Sequence, residues 1–290
     1  MTSIRQSLRA CAAITLISSV VSILGLYSTA HAAAPTSITI ATEGAYAPWN
    51  FTTADGKLDG MEVELADNLC ARMNIECKII AQDWDGLIPS LNAGKYDVII
   101  ASMFITDKRL EVIDFTQPYA VDPSSFAVAK DSELAKAGIA AEKISMNDDA
   151  AAQAAIATLK PLLKGKIVGV QAATLLQEFV ETHFSDTVEI RSYKTTEQHD
   201  LDLSAGRVDA LFGQDTALAA TLANDGFEDY TIAGPGFVQG MFGYGIGAGT
   251  RKSDTELNQM LNEAIDEAIA DGTIKALSLK WLNTDVTPVK

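Results

Sequence analysis

Ser90-Leu-Asn-Ala-Gly-Lys-Tyr-Asp-Val-Ile-Ile-Ala101 and Asp202-Leu-Ser-Ala-Gly-Arg-Val-Asp-Ala-Leu-Phe-Gly213 are two copies of one corner, set in separate halves of the chain. In each, a helical stretch closes on Ala-Gly, a basic and an apolar residue follow, and Asp97 or Asp209 opens an apolar strand. Glycine at 94 and 206 suits the left-handed residue that ends many helices. Two helix-to-strand corners arise easily by chance; a shared Leu-x-Ala-Gly-basic-x-Asp does not. The pair reads as duplication-like pseudo-symmetry, which predicts two similar α/β lobes with a cleft between them.

Working outward, short β-branched runs alternate with amphipathic stretches. Strands are predicted at Ile38–Ala41, Ile79–Ala81 and Val98–Ala101, with helices at Gly60–Met73 and Leu87–Ala93. The alternation resumes with strands at Ile167–Gln171, Val188–Tyr193 and Asp209–Gly213 and helices at Leu175–Phe184 and Gln198–Ala205. Such alternation predicts βαβ units and mostly parallel sheets flanked by helices. Asp254–Leu282, rich in Ala and Leu, reads as one long helical stretch, and residues 143–163 as an Ala-rich helical insertion with no legible chemistry. Pro- and Gly-interrupted stretches at Gln117–Ser124 and Ala233–Gly243 predict two crossings between lobes. One lobe then comprises 33–121 with 240–290 and the other 122–239, and 290 residues suffice for about two domains.

The first 32 residues read as a secretory signal peptide: Arg5 and Arg9, an apolar run from Ala10 to Leu26, then Ala30-His31-Ala32 as the cleavage site. No basic stop-transfer flank supports a membrane anchor, and Cys11 lies at the start of the apolar run and does not follow it, unlike a lipoprotein cysteine. Cleavage after Ala32 leaves Cys70 and Cys77, an even pair that reads as a disulfide in an exported protein. In the chain-entropy account so short a loop contributes about 2–3 kcal/mol at most. Cys-x6-Cys without a nearby His is a poor zinc site, since structural zinc wants four ligands. The formal charge of −16 argues against duplex nucleic acid and against docking on anionic lipid by a basic patch. It leaves a small cationic ligand open.

In open α/β sheets ligands bind beyond the carboxyl ends of strands. The segments there carry complementary groups. Arg109 offers a planar fork for a carboxylate, and backbone N–H groups near Thr174 would attract an anion if that residue opens a helix. Glu43 suits an ammonium or guanidinium, and Tyr46 or Trp84 could stack on it. After signal removal only His183 and His199 remain, and no Ser/His/Asp or metal constellation is visible. An exported enzyme using Glu43 and Arg109 for acid–base work, dehydratase-like, is one alternative; a module that presents its ligand to a receptor is the other.

Ala41-Thr-Glu-Gly-Ala-Tyr-Ala-Pro-Trp-Asn-Phe51, Gly60-Met-Glu-Val-Glu-Leu-Ala66, Asp83-Trp-Asp-Gly-Leu-Ile-Pro-Ser-Leu91 and Ile105-Thr-Asp-Lys-Arg109 resemble the family 3 periplasmic solute-binding proteins of polar amino-acid ABC transporters. The likeness spans the mature chain, Cys-x6-Cys included, and is greatest to the lysine/arginine/ornithine and the opine (octopine/nopaline) binders. It implies a two-lobed type II periplasmic binding protein with a two-strand hinge, monomeric, without cofactor or catalysis, that hands its ligand to a permease in the inner membrane. By position, Arg109 resembles the arginine that grips the ligand α-carboxylate, helped by Ser102 and the Thr174 segment. Tyr46 and Trp84 match the aromatic pair around the ligand side chain, and Glu43 matches the acid facing its distal cation. Two positions depart. Gln214 stands where basic amino-acid binders put Asp, as an uncharged amide does in opine binders, and Phe104 replaces a common Ser. Asp215 follows Gln214, but strand alternation should turn it away. Because a primary ammonium in a dry cleft is costly without a counter-charge, the amide predicts a secondary amine carrying its own carboxylate: an arginine-derived opine or guanidino compound ahead of free lysine.

Overall fold

A computed structural model describes residues 35–288. The signal-peptide reading and its cleavage after Ala32 therefore lie outside the described residues. Two mixed sheets organise the rest. The first runs in the order Glu76–Ala81, Ser37–Thr42, Val98–Ile99, Gly249–Thr250, Asp114–Phe115. The second runs Glu189–Tyr193, Ile167–Gln171, Ala210–Gln214, Ser124–Ala129, Tyr230–Val238, Lys143–Ser145. In each sheet the first three strands are parallel, as alternation with helices requires. Antiparallel strands complete both: Gly249–Thr250 against two neighbours in the first, and Ser124–Ala129 against two in the second. A small hairpin sheet of Ala45–Tyr46, Asn50–Thr52 and Leu58–Asp59 stands beside the first.

The repeated corner is repeated in its bonds. Gly94 and Gly206 take φ of 72° and 67°, and their N–H groups donate to Leu91 and Leu203 carbonyls, both at 2.9 Å. The Asp97 and Asp209 amides each donate at 2.8 Å to a neighbouring strand, at Thr39 O and Ile167 O. Their carboxylates accept from the same two residues, Thr39 N at 2.9 Å and Ile167 N at 2.8 Å. Each aspartate thus pins its strand to the parallel neighbour in register, and the ends of those strands arrive side by side. The disulfide forms between Cys70 and Cys77, with Cα atoms 6.2 Å apart, and ties the helix Met61–Met73 to the strand Glu76–Ala81.

Three expectations need correction. The stretch Asp254–Leu282 is two helices, Thr255–Ala270 and Thr273–Leu282, parted at Gly272 with φ 81°. The insertion 143–163 opens with a strand, Lys143–Ser145, which pairs parallel to Gly236–Val238 before the helix Asp149–Leu163. Ala233–Gly243 is not all crossing: its first part continues the strand Tyr230–Val238, where Gly-Pro-Gly makes an irregularity in the pairing and not an end. The return to the first sheet comes after it. There Gly243 (φ 69°) runs so close to Ile105 that a Cβ would lie 1.7 Å from the Ile105 carbonyl oxygen, so glycine is required. Ile105 N and O bond Gly245 O and Tyr244 N, at 2.8 and 2.9 Å, and fix that crossing. Behind the second sheet's strand ends, Phe179 stacks on Phe212 at 4.6 Å and meets Phe237 at 4.7 Å, in a fully buried aromatic floor. Among the described residues no helix is long and apolar enough to cross a membrane.

Candidate functional site

The eight residues singled out by sequence come together. Glu43, Tyr46, Trp84, Ser102, Phe104, Arg109, Thr174 and Gln214 line one cavity, with Ala101, Gln171, Leu175 and Leu176. The space it encloses, part of it open to solvent, is about 320 Å³. Each wall follows from a strand end. Glu43 follows Ser37–Thr42 and Ser102 lies just past Val98–Ile99, while Gln171 and Gln214 are the last residues of adjacent parallel strands in the second sheet.

One end of the cavity is cationic. Arg109 sits in the short helix Asp107–Leu110, whose N-cap Thr106 accepts from the Arg109 amide. Its guanidinium lies over the Trp84 ring at 5.4 Å and donates one bond, Nη1 to Phe104 O at 2.8 Å. Among the described residues it forms no ion pair, and burial draws its pKa down to about 10, so it stays charged. Trp84 Nε1 donates to Ala173 O at 3.0 Å, carrying the ring across to the second sheet's side. Thr174 caps the helix Leu175–Phe184 by accepting from Gln177 N, so that helix's N-terminus borders the cavity, as Leu175 and Leu176 on its wall attest.

Another wall is anionic. Glu43 is 7% exposed and accepts from Gln171 Nε2 at 2.6 Å. Burial outweighs that bond and pushes its carboxyl up to about 7, with Glu62 and Asp83 adding repulsion. Gln214, also in the lining, is buried. Its Oε1 accepts from Tyr46 OH at 2.5 Å and from Ser102 Oγ at 3.1 Å, whereas its Nε2 is buried without a partner. Asp215, which alternation was expected to turn away, is absent from the lining. Phe104 packs on Phe242 at 5.8 Å and fills space where a smaller polar residue would leave a donor.

Gln171 was missed by sequence reasoning, although the rule that selected Gln214, the last residue of a parallel strand, applies to it equally. His183 and His199 lie outside the cavity lining, and His199 Nδ1 lies 3.0 Å from Asp200 Oδ1. No group of three or more His, Cys, Asp or Glu among the described residues could hold a metal ion.

Three buried carboxyls share the raised state: Glu43 and Glu62 to about 7 and Asp122 to about 8, burial being the largest cause in each. Unfolding returns them to 4.5 and 3.8. The folded form therefore binds protons that the unfolded form releases. Their contribution is complete below about pH 4 and is lost as pH rises through roughly 7 to 8. Asp271 and Asp285, held near 2 chiefly by hydrogen bonds from Thr273 and Thr287, act in the opposite sense and lose their contribution only in stronger acid. The ligand-free protein is expected to melt at a lower temperature at about pH 8 than at about pH 5; scanning calorimetry at both would contradict this assignment by showing the reverse order.

Residues 38–284 match the model of the bacterial extracellular solute-binding proteins, family 3. The octopine-binding periplasmic protein of Rhizobium meliloti is 45% identical over 276 residues, covering 89% of this chain and 94% of that one. The histidine-binding periplasmic protein of Salmonella typhimurium is 37% identical over 265 residues, covering 89% and 92%. Among solved structures, a periplasmic His/Glu/Gln/Arg/opine family-binding protein from Silicibacter pomeroyi, in complex with lysine, superposes with a TM-score of 0.68 at 32% identity, over 87% of this chain and all of that one. These relatives are named as binding proteins, not as enzymes. Two mixed α/β sheets, a cavity at their strand ends and a family match over nearly the whole described chain agree: the chain belongs to the bacterial extracellular solute-binding proteins, family 3.

Proposed function

We propose that the protein captures an arginine-derived opine in the periplasm and presents it to the inner-membrane permease of an ABC importer. Gln214 carries the reading. Two hydroxyls, on Tyr46 and Ser102, donate to its oxygen, which leaves its buried amide nitrogen as a donor without an acceptor. A buried donor left unpaired costs about 1–3 kcal/mol. A ligand that brings a carboxylate beside its secondary amine removes that cost, and an α-ammonium does not. The octopine-binding relative, at 45% identity, supports the same class.

In this reading Arg109 and the Thr174 helix end grip a carboxylate, Ser102 holds the Gln214 oxygen, Tyr46 and Trp84 enclose the aliphatic chain, and Glu43, held by Gln171, faces the guanidinium. Residues 33–121 with 240–290 act as one lobe and 122–239 as the other. Because the lining comes from both sheets, a bound ligand stabilises the closed arrangement of a single-chain, monomeric protein. A calorimetric panel of octopine, nopaline, arginine, ornithine, lysine and histidine tests the ligand class. Octopine or nopaline is expected to bind most tightly; preference for a ligand without a cationic side chain would overturn the Glu43 role. Gln214→Asp is expected to move the preference toward free arginine by about tenfold or more, as an anion then meets the α-ammonium. An unchanged preference would detach Gln214 from specificity. Mass spectrometry of the ligand recovered after saturation separates binding from a dehydratase-like activity, which would return an altered molecule.

A further inference from the structure

The motif Gly60-Met-Glu-Val-Glu-Leu-Ala66 places a carboxylate, Glu62, in the first turn of the helix Met61–Met73. A first-turn acid ordinarily sits in water, favoured by the helix dipole. Glu62 instead is 1% exposed and is not part of the cavity wall. Burying a carboxylate is costly unless donors surround it, and three do. Its Oε1 accepts from the Ser102 amide at 2.6 Å and from the Tyr119 hydroxyl in a short bond, and its Oε2 accepts from Asn50 Nδ2 at 2.6 Å. Asn50 in turn accepts from Gly44 N at 2.7 Å, next to Glu43.

The Ser102 amide is the informative partner. Ser102 has φ 48°, a left-handed conformation that a residue with a Cβ adopts only where its surroundings enforce it. In that conformation its hydroxyl reaches Gln214 Oε1 across the cavity at 3.1 Å. We propose that Glu62 is a positioning residue for ligand capture, its buried carboxyl group holding the Ser102 backbone in the left-handed conformation that turns the Ser102 hydroxyl toward Gln214 on the cavity wall. The Asn50 and Tyr119 bonds fix the carboxyl group itself, so that one side chain sets the strand end against the hairpin and against the segment that leaves the first sheet.

The inference rests on the binding function proposed above, and the parent protein separates the two: if the parent binds neither octopine nor arginine, that function fails, whatever Glu62 does. With a binding parent, Glu62→Gln keeps the shape and removes the carboxylate. The dissociation constant for octopine, or for arginine if only arginine binds, is expected to rise about tenfold or more. Ser102→Gly tests the route, because glycine adopts positive φ without enforcement. In that background the added Glu62→Gln change should cost less than about threefold. An affinity unchanged by Glu62→Gln, or lowered by the same factor in both backgrounds, overturns the proposal, since a role confined to general stability would not distinguish them. Should Glu62→Gln fail to fold, Tyr119→Phe removes one donor from the same oxygen. A several-fold loss of affinity there supports the proposal and no change refutes it.

Discussion

Arg109→Ala is expected to weaken opine binding by about a hundredfold to a thousandfold. Truncating one member of a buried, hydrogen-bonded charge pair costs roughly 2–5 kcal/mol, each 1.4 kcal/mol being tenfold. The ligand carboxylate would be left in the cavity with only a helix end to meet it. Stability should respond differently. In the ligand-free protein the guanidinium bonds one carbonyl and pairs with no carboxylate among the described residues, so removing a partly desolvated cation should leave the melting temperature unchanged or higher. Arg109→Lys keeps the charge but loses the planar fork and the contact with Trp84, and should recover only part of the affinity. Titration calorimetry beside thermal melts measures both. Parent-like binding by Arg109→Ala would remove the carboxylate grip from this site altogether.

Glu43→Gln should raise the dissociation constant for a guanidinium-bearing ligand by about tenfold to a hundredfold near pH 8, by the same charge-pair argument. The size of that effect should depend on pH. The Glu43 carboxyl titrates near 7, so the parent itself loses the anion in acid, and its affinity should fall as pH drops through about 7. The variant, already neutral, should show most of that slope gone, and the two proteins should converge toward about pH 5.5. Binding by the parent at neutral pH should release protons, visible as a heat that varies with the ionisation enthalpy of the buffer. At alkaline pH the ligand-free variant should melt above the parent, because it no longer buries an unpaired charge. A parent affinity that is flat in pH would mean that the cation is met elsewhere.

Much of this site was legible because the strand-end rule works on local sequence. Trp84, Arg109 and Thr174 each follow a strand, and the repeated Ala-Gly-basic-x-Asp corner located one of those strands and the one that ends at Gln214. Residues whose purpose lies in a distant partner were not legible. Gln171 matters because Glu43, 128 residues away, accepts its N–H, and Glu62 because Ser102, 40 residues away, points an amide at it. Nothing in the local pattern announces either pairing. The strand Ser124–Ala129 was overlooked for a related reason. Between two antiparallel neighbours five of its six residues are buried, so it shows no alternation. The latter part of Tyr230–Val238 was read as crossing because Pro235 and its glycines signal a break, which the sheet absorbs as an irregularity.

The order of strands also bears on how the chain acquires its shape. The second sheet uses residues 124 to 238 without interruption, so it can be finished as soon as that stretch is available. The first cannot. Gly249–Thr250 lies between Val98–Ile99 and Asp114–Phe115, and until it arrives those earlier strands present open edges with bare amides and carbonyls. A polypeptide emerging amino end first must keep its opening hundred residues unfinished while the later half matures. Whatever escorts the nascent chain has its longest task at those waiting edges, and a truncation before residue 249 should leave a product that clumps through them while its inner half is sound.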